Sequence, residues 1–126
     1  MLIFGYPFID HLPFYEIICF EDLDKTPSNS IAVFNYNPKL LKKCETNGIK
    51  TALKIETIKE LLFCNALKSD FVITKKSFSD VAQKIANEYL FDTKIIQIIR
   101  DDNELEDAAQ RGIDGVIRID CIKKVG

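Results

Sequence analysis

From residue 30 onward the chain alternates between short apolar runs and segments whose apolar residues recur every three or four positions. The runs begin at Ile31 (IAVFNY), Thr51 (TALKI), Phe71 (FVIT), Ile95 (IIQII) and Gly115 (GVIRI), at intervals of 20, 20, 24 and 20 residues. They are too short for helices and rich in β-branched residues, so they read as strands. The clearest intervening segment places Phe78, Val81, Ala82, Ile85, Ala86, Tyr89 and Leu90 on one helical face. Repeated strand-then-helix alternation predicts parallel strands joined by right-handed crossovers.

Start and stop signals agree with this reading. Asn37-Pro38 is an N-cap followed by proline at the first helical position, where a missing N–H is no loss, and that helix should stop at Asn47-Gly48. Thr57-Ile58-Lys59-Glu60 matches a capping box, and Ser77-Phe78-Ser79-Asp80 is a weaker version of it. Asp101-Asp102-Asn103-Glu104 opens the last helix, which should close at Gly112.

Residues 1–30 differ. Leu2 to Tyr6 and Tyr15 to Phe20 read as two strands separated by Pro7 and Pro13, and Glu21 to Ser30 is a polar loop too short for a crossover helix. The two strands are expected to pair antiparallel with each other or with the sheet edge. The expected layout is one α/β domain over residues 1–126. It has an N-terminal strand pair and loop (1–30), then repeated βα units (31–120) forming a mainly parallel five-stranded sheet with four helices. Doubly wound packing of the flavodoxin or Rossmann type is the first expectation, and a half barrel with all helices on one side is the alternative.

Composition narrows the class. The 126 residues are 47% hydrophobic and 29% charged, with 17 Lys+Arg against 19 Asp+Glu and a net charge of −2. A chain of this size buries roughly two thirds of its unfolded surface and folds without disulfide or metal. The balanced charge argues against a nucleic-acid surface or a polybasic membrane anchor. Cys19, Cys44, Cys64 and Cys121 form no C-x-x-C pair, and none is near His11 in sequence, so neither a zinc site nor a disulfide framework is expected. The apolar start, Met1 to Pro7, has no basic flank and is too short for a signal peptide or a span. A reducing, cytoplasmic setting follows as the expectation.

In open parallel sheets, ligands sit outside the carboxyl ends of the strands, where helices begin. That rule selects Asn35, Tyr36 and Asn37, then Glu56 and Thr57, then Thr74, Lys75, Lys76 and Ser77. It also selects Arg100, Asp101 and Asp102, and finally Asp120 with Cys121. Lys75, Lys76 or Arg100 could hold a phosphate or other anion with the free N–H groups at Ser77 and Phe78. Glu56, Asp101, Asp102 and Asp120 are carboxylates of the kind Mg²⁺ uses. Cys121, beside Asp120, is the one thiol at a strand end. Each has a plainer role available, since acidic residues at a helix start complement the macrodipole without any metal.

The glycines form neither G-x-G-x-x-G nor G-x-x-x-x-G-K-[ST], so a dinucleotide fingerprint and a P-loop are absent. The chain is similar to phosphorelay receiver domains in size and alternation, but Thr74-Lys75 stands where those carry an aspartate. Lys54-Ile55-Glu56-Thr57 with Ser69 to Ile73 resembles two strands of phosphoenolpyruvate/pyruvate barrels, as Gly112 to Ile117 resembles a barrel strand entry. Thr74-Lys75-Lys76 replaces their glycine and aspartate metal loop, so no activity follows from the resemblance.

Polar residues also interrupt three strands: Lys54, Gln97 and Arg118. They point either to a shared wet face or to edge strands, where charge discourages aggregation. Tyr6, Phe8, Phe14 and Tyr15 form a proline-punctuated aromatic cluster that reads as exposed.

The functional expectation is therefore a non-enzymatic protein-interaction or ligand-binding module, docking a protein partner or its own copy and using no cofactor. The alternative is a small enzyme recognising a phosphate or other anion, with or without metal assistance.

Overall fold

The computed structural model describes residues 1–125. Its strands are β1 (Leu2–Phe4), β2 (Phe14–Glu16), β3 (Ile31–Asn35), β4 (Lys50–Lys54), β5 (Phe71–Thr74), β6 (Lys94–Ile99), β7 (Gly115–Arg118) and β8 (Ile122–Lys124). Helices α1 (Pro38–Thr46), α2 (Ile58–Ala66), α3 (Lys76–Glu88) and α4 (Asp102–Gln110) follow β3 to β6, with short 3₁₀ turns at Phe20–Lys25 and Ile119–Cys121. Among the described residues, no helix is long and apolar enough to cross a membrane.

The eight strands make one sheet in the order β1-β7-β6-β5-β4-β3-β2-β8, and every pairing is parallel. This corrects two expectations. The sheet has eight strands rather than five, and the order from β3 to β7 never reverses, so the packing is not doubly wound. All four helices lie on one face. The cluster holding Leu41, Cys44, Leu61, Cys64, Ala82 and Ala108 of the helices also holds Leu53, Val72, Ile95 and Val116 of the strands. The other face, with Phe4, Phe14, Val33, Ala52, Ile73, Ile96 and Ile117, gathers strand residues and no helix.

That second face folds onto itself. Only residues 119–121 separate β7 from β8, a span of at most about 14 Å of chain. The two strands are six places apart in the order, which on a flat sheet would be roughly 29 Å. The sheet must therefore curl, as the half-barrel alternative requires. β1 and β2, also six places apart, meet directly through Phe4 and Phe14, whose ring centroids are 4.9 Å apart. Phe71 from β5 completes the cluster at 5.6 Å from Phe4. The inner face is thus packed with side chains rather than hollow.

The N-terminal strands are corrected as well. β1 and β2 do not pair with each other; β1 runs parallel to β7, and β2 parallel to both β3 and β8. Residues 5–13 do not reverse the chain. They bulge out between two strands that continue in one direction, with Gly5 at φ 108 making the exit. A Cβ at Gly5 would stand 2.8 Å from Arg118 Cβ, so only glycine fits this seam.

Local signals place the helix ends. Asn37 accepts from Leu40 N–H at 3.1 Å, and Thr57 with Glu60 forms the capping box of α2. Asp101 accepts from Glu104 N–H at 2.9 Å. α3 departs from expectation: it begins at Lys76 with Lys75 as an N-cap lacking a side-chain bond, and Ser77 lies inside its first turn. Each helix is followed by a residue in the left-handed region, Gly48, Lys68, Leu90 and Gly112.

Two βαβ units repeat with an offset of 44 residues. Asp70 accepts from Thr51 N–H and Asp114 from Ile95 N–H, both at 3.0 Å and both across 19 residues. Thr57 and Glu60 of the first unit correspond to Asp101 and Glu104 of the second, and Lys68 corresponds to Gly112.

Candidate functional site

The carboxyl ends of β3 to β6 enclose a cleft of about 450 Å³ lined by Asn35, Tyr36, Lys54, Ile55, Glu56, Glu60, Ile73, Thr74, Lys75 and Ile98. Its position follows from alternation. Lys54 is two residues beyond inward-facing Ala52, so its side chain rises at the rim of the filled inner face. Ile73 and Ile98 belong to that inner face and form an apolar floor beneath the lysine.

Lys54 Nζ lies 2.9 Å from Glu16 Oε1, while Lys124 Nζ lies 2.6 Å from Glu16 Oε2. One carboxylate thus serves two ammonium groups, Lys124 from the paired strand β8 and Lys54 from β4, two strands away on the other side of β2. The Glu16 carboxyl is held below the usual carboxylate range, first by the Lys124 hydrogen bond and then by that from Lys54. Lys75 is exposed and makes no ion pair within 4 Å among the described residues. Glu60 lines the cleft but is engaged, accepting from the N–H groups of Glu56 at 2.8 Å and Thr57 at 3.2 Å.

Of the residues selected by strand-end position, Asn35, Tyr36, Glu56, Thr74 and Lys75 meet in this cleft. The Thr74 hydroxyl is buried and engaged, 2.7 Å from Ser79 Oγ and 3.3 Å from the Ile96 carbonyl, so it shapes the wall. The other candidates lie outside the lining. Asn37 and Asp101 are occupied as helix caps, Ser77 is exposed on α3, and Arg100 is exposed beyond β6. Asp120 lies 3.6 Å from Arg118 Nε and borders a separate cleft of about 530 Å³, together with Gly5, Tyr6, His11, Cys121 and Lys123.

The carboxylates considered for Mg²⁺ are likewise dispersed: Asp101 caps α4, and Asp102 accepts from the Tyr6 hydroxyl at 2.7 Å. Among the described residues, no three His, Cys, Asp or Glu side chains come together to hold a metal ion. The Cys121 thiol is pushed up chiefly by burial and then by Asp120, which opposes thiolate formation. Burial raises Cys44 to about 11 and Cys64 to about 12, so both remain neutral packing groups.

The three polar strand residues do not share a face. Lys54 points to the inner rim, whereas Gln97, 1% exposed, lies under the helices and accepts from Arg111 Nη2 at 2.6 Å. Arg118 turns outward over the Tyr6 ring, 5.3 Å from its centroid. Nor are their strands edges: β4 lies between β3 and β5, and β7 between β1 and β6. The aromatic cluster also divides. Phe8 is 82% exposed, Tyr6 and Tyr15 are half-buried, and Phe14 is part of the inner core.

Strand-end reasoning left out Lys54, Glu16 and Lys124. Lys54 had a sequence signal, a charge inside an apolar run; Glu16 and Lys124 had none, because only the non-local pairing of β2 with β3 and β8 brings them together. No protein-family profile matches the chain, and no curated protein matches it.

Proposed function

We propose that the protein is a non-enzymatic ligand-binding module, acting in the cytoplasm, that takes a small anionic ligand at the β3 to β6 cleft. The supporting observation is the Lys54–Glu16–Lys124 arrangement, in which two cations share one anion beside unpaired Lys75 and the Asn35 amide. An anion there would pair with the Lys75 ammonium and accept from the Asn35 amide, and the Ile73 and Ile98 floor suits a short carbon skeleton.

Thermal unfolding with inorganic phosphate, sugar phosphates, nucleotides and small carboxylates tests this reading. A ligand that binds only the folded form stabilises it by about 2.7 kcal/mol at a hundred times its Kd. The expected result is a raised Tm with at least one of these anions, lost in a Lys54→Ala/Lys75→Ala variant. No rise with any of them, or an equal rise in the variant, would remove the basis of the proposal.

A second reading, self-association, rests on α2. This helix is apolar on nearly every side, and Ile58, Leu62 and Phe63 are 45%, 41% and 48% exposed. Helices apolar all round are normally covered. Light scattering across concentration decides it: a dimer dispersed by Phe63→Lys supports this reading, and a monomer throughout rejects it.

A further inference from the structure

We infer that His11 is an acid-sensitive clasp that holds residues 5–13 against the seam of the curled sheet only while its imidazole is neutral. The evidence is stereochemical. His11 Nε2 lies 3.0 Å from the backbone nitrogen of Gly5, and Nδ1 lies 2.7 Å from the Leu12 carbonyl oxygen. A backbone N–H can only donate and a carbonyl can only accept. The ring must therefore be the neutral tautomer with its proton on Nδ1 and a lone pair on Nε2. The doubly protonated ring would point an Nε2–H at the Gly5 N–H, opposing two donors.

The ring meets that opposition partly buried, at the border of the cleft of about 530 Å³. It packs edge-on to Phe4 with centroids 5.1 Å apart and tilts over Phe14 at 5.8 Å, covering the inner core at the point where β1 gives way to β2. A charged ring between two phenyl groups loses solvation as well as its hydrogen bond. The ionisable and charged groups around it are Tyr6 and Asp10 on its own segment, Arg118 of β7, Asp120 and Cys121 of the following turn, and Lys123 of β8. The nearest is Cys121, whose Sγ is 3.9 Å from Nε2. Asp10 and Asp120 border the adjoining cleft and offer a released imidazolium compensating charge. The element that would be released is the 5–13 segment, tied elsewhere by the Tyr6 hydroxyl to Asp102 and by the Ile31 N–H to the Pro13 carbonyl.

Amide hydrogen exchange at neutral and mildly acid pH, corrected for intrinsic rates, tests the clasp in the wild type and in His11→Gln. Glutamine presents an acceptor to Gly5 but cannot take up a proton. Acid should lower protection of Gly5 and its segment by roughly tenfold in the wild type, the scale of one lost hydrogen bond. The helices should stay protected, and His11→Gln should show no such pH response. The chain's only histidine also allows the tautomer to be read by ¹⁵N NMR at neutral pH, with the proton expected on Nδ1. Equal protection of the wild type at both pH values, an equal acid response in His11→Gln, or a proton on Nε2 would each overturn the inference. If His11→Gln is already open at neutral pH, the wild-type exchange pair and the tautomer decide.

Discussion

Phe4 and Phe14 pack edge to face at 4.9 Å although their strands are first and seventh in the sheet order. This contact records the curl in a single distance, and it makes the inner core depend on two three-residue strands. Phe14 is 1% exposed. Phe14→Ala should therefore destabilise the fold by about 3 to 5 kcal/mol, as large core truncations do. Urea unfolding checks this; a loss under about 1 kcal/mol would mean the ring is not part of a tight core.

Helix closure offers a stabilising change. Leu90 is 86% exposed and holds φ 53, while Lys68 holds φ 64. A left-handed conformation costs a residue with a Cβ about 1 to 2 kcal/mol. Leu90→Gly should raise stability by roughly 0.5 to 1 kcal/mol, net of the greater chain entropy of glycine. Gly112→Ala should do the reverse, through backbone strain alone, since its Cβ would meet nothing within 4 Å. Melting temperatures of the two variants should move in opposite directions.

The 44-residue repeat predicts matched losses. Asp70 and Asp114 each tie the start of one strand to the end of the next connection. Asp70→Ala and Asp114→Ala should each lose about 1 to 3 kcal/mol, because a part-buried N–H is left without its acceptor. If one variant proves neutral by denaturant melt, the equivalence of the two units is wrong.

Much of this organisation is legible from local chemistry. Asn37-Pro38, Thr57 with Glu60, and Gly48 and Gly112 act within a few residues of themselves, so α1, α2 and α4 fall where their caps place them. The curl is not legible, because it depends on pairings such as Phe14 with Ile122, which share no local signal. The repeat is hidden too, since its paired positions agree in role more than in residue type, as Lys68 and Gly112 illustrate. Strand-end position says how high a residue sits but not whether its side chain is free. Asn37 and Asp101 satisfied the rule and are occupied as caps.

Glu16 supplies a pH dependence with a definite sign. Its folded-state pKa lies below the unfolded value, so its contribution is fully present above the ordinary carboxylate range and is lost as pH falls through the lowered folded value. Glu16→Gln should therefore be less stable than the wild type at neutral pH, and the difference should shrink on acidification. Urea midpoints measured from neutral to strongly acid pH check this; a difference that grows in acid contradicts the assignment.

The central claim is that an anion binds beside Lys54 and Lys75, and an amide NMR titration with inorganic phosphate and small carboxylates tests it residue by residue. Saturable shifts should concentrate at Asn35, Tyr36, Glu56 and Lys75, around the cleft, and vanish in Lys54→Ala/Lys75→Ala. Shifts that are absent, that centre on another part of the molecule, or that persist unchanged in the double variant would contradict it.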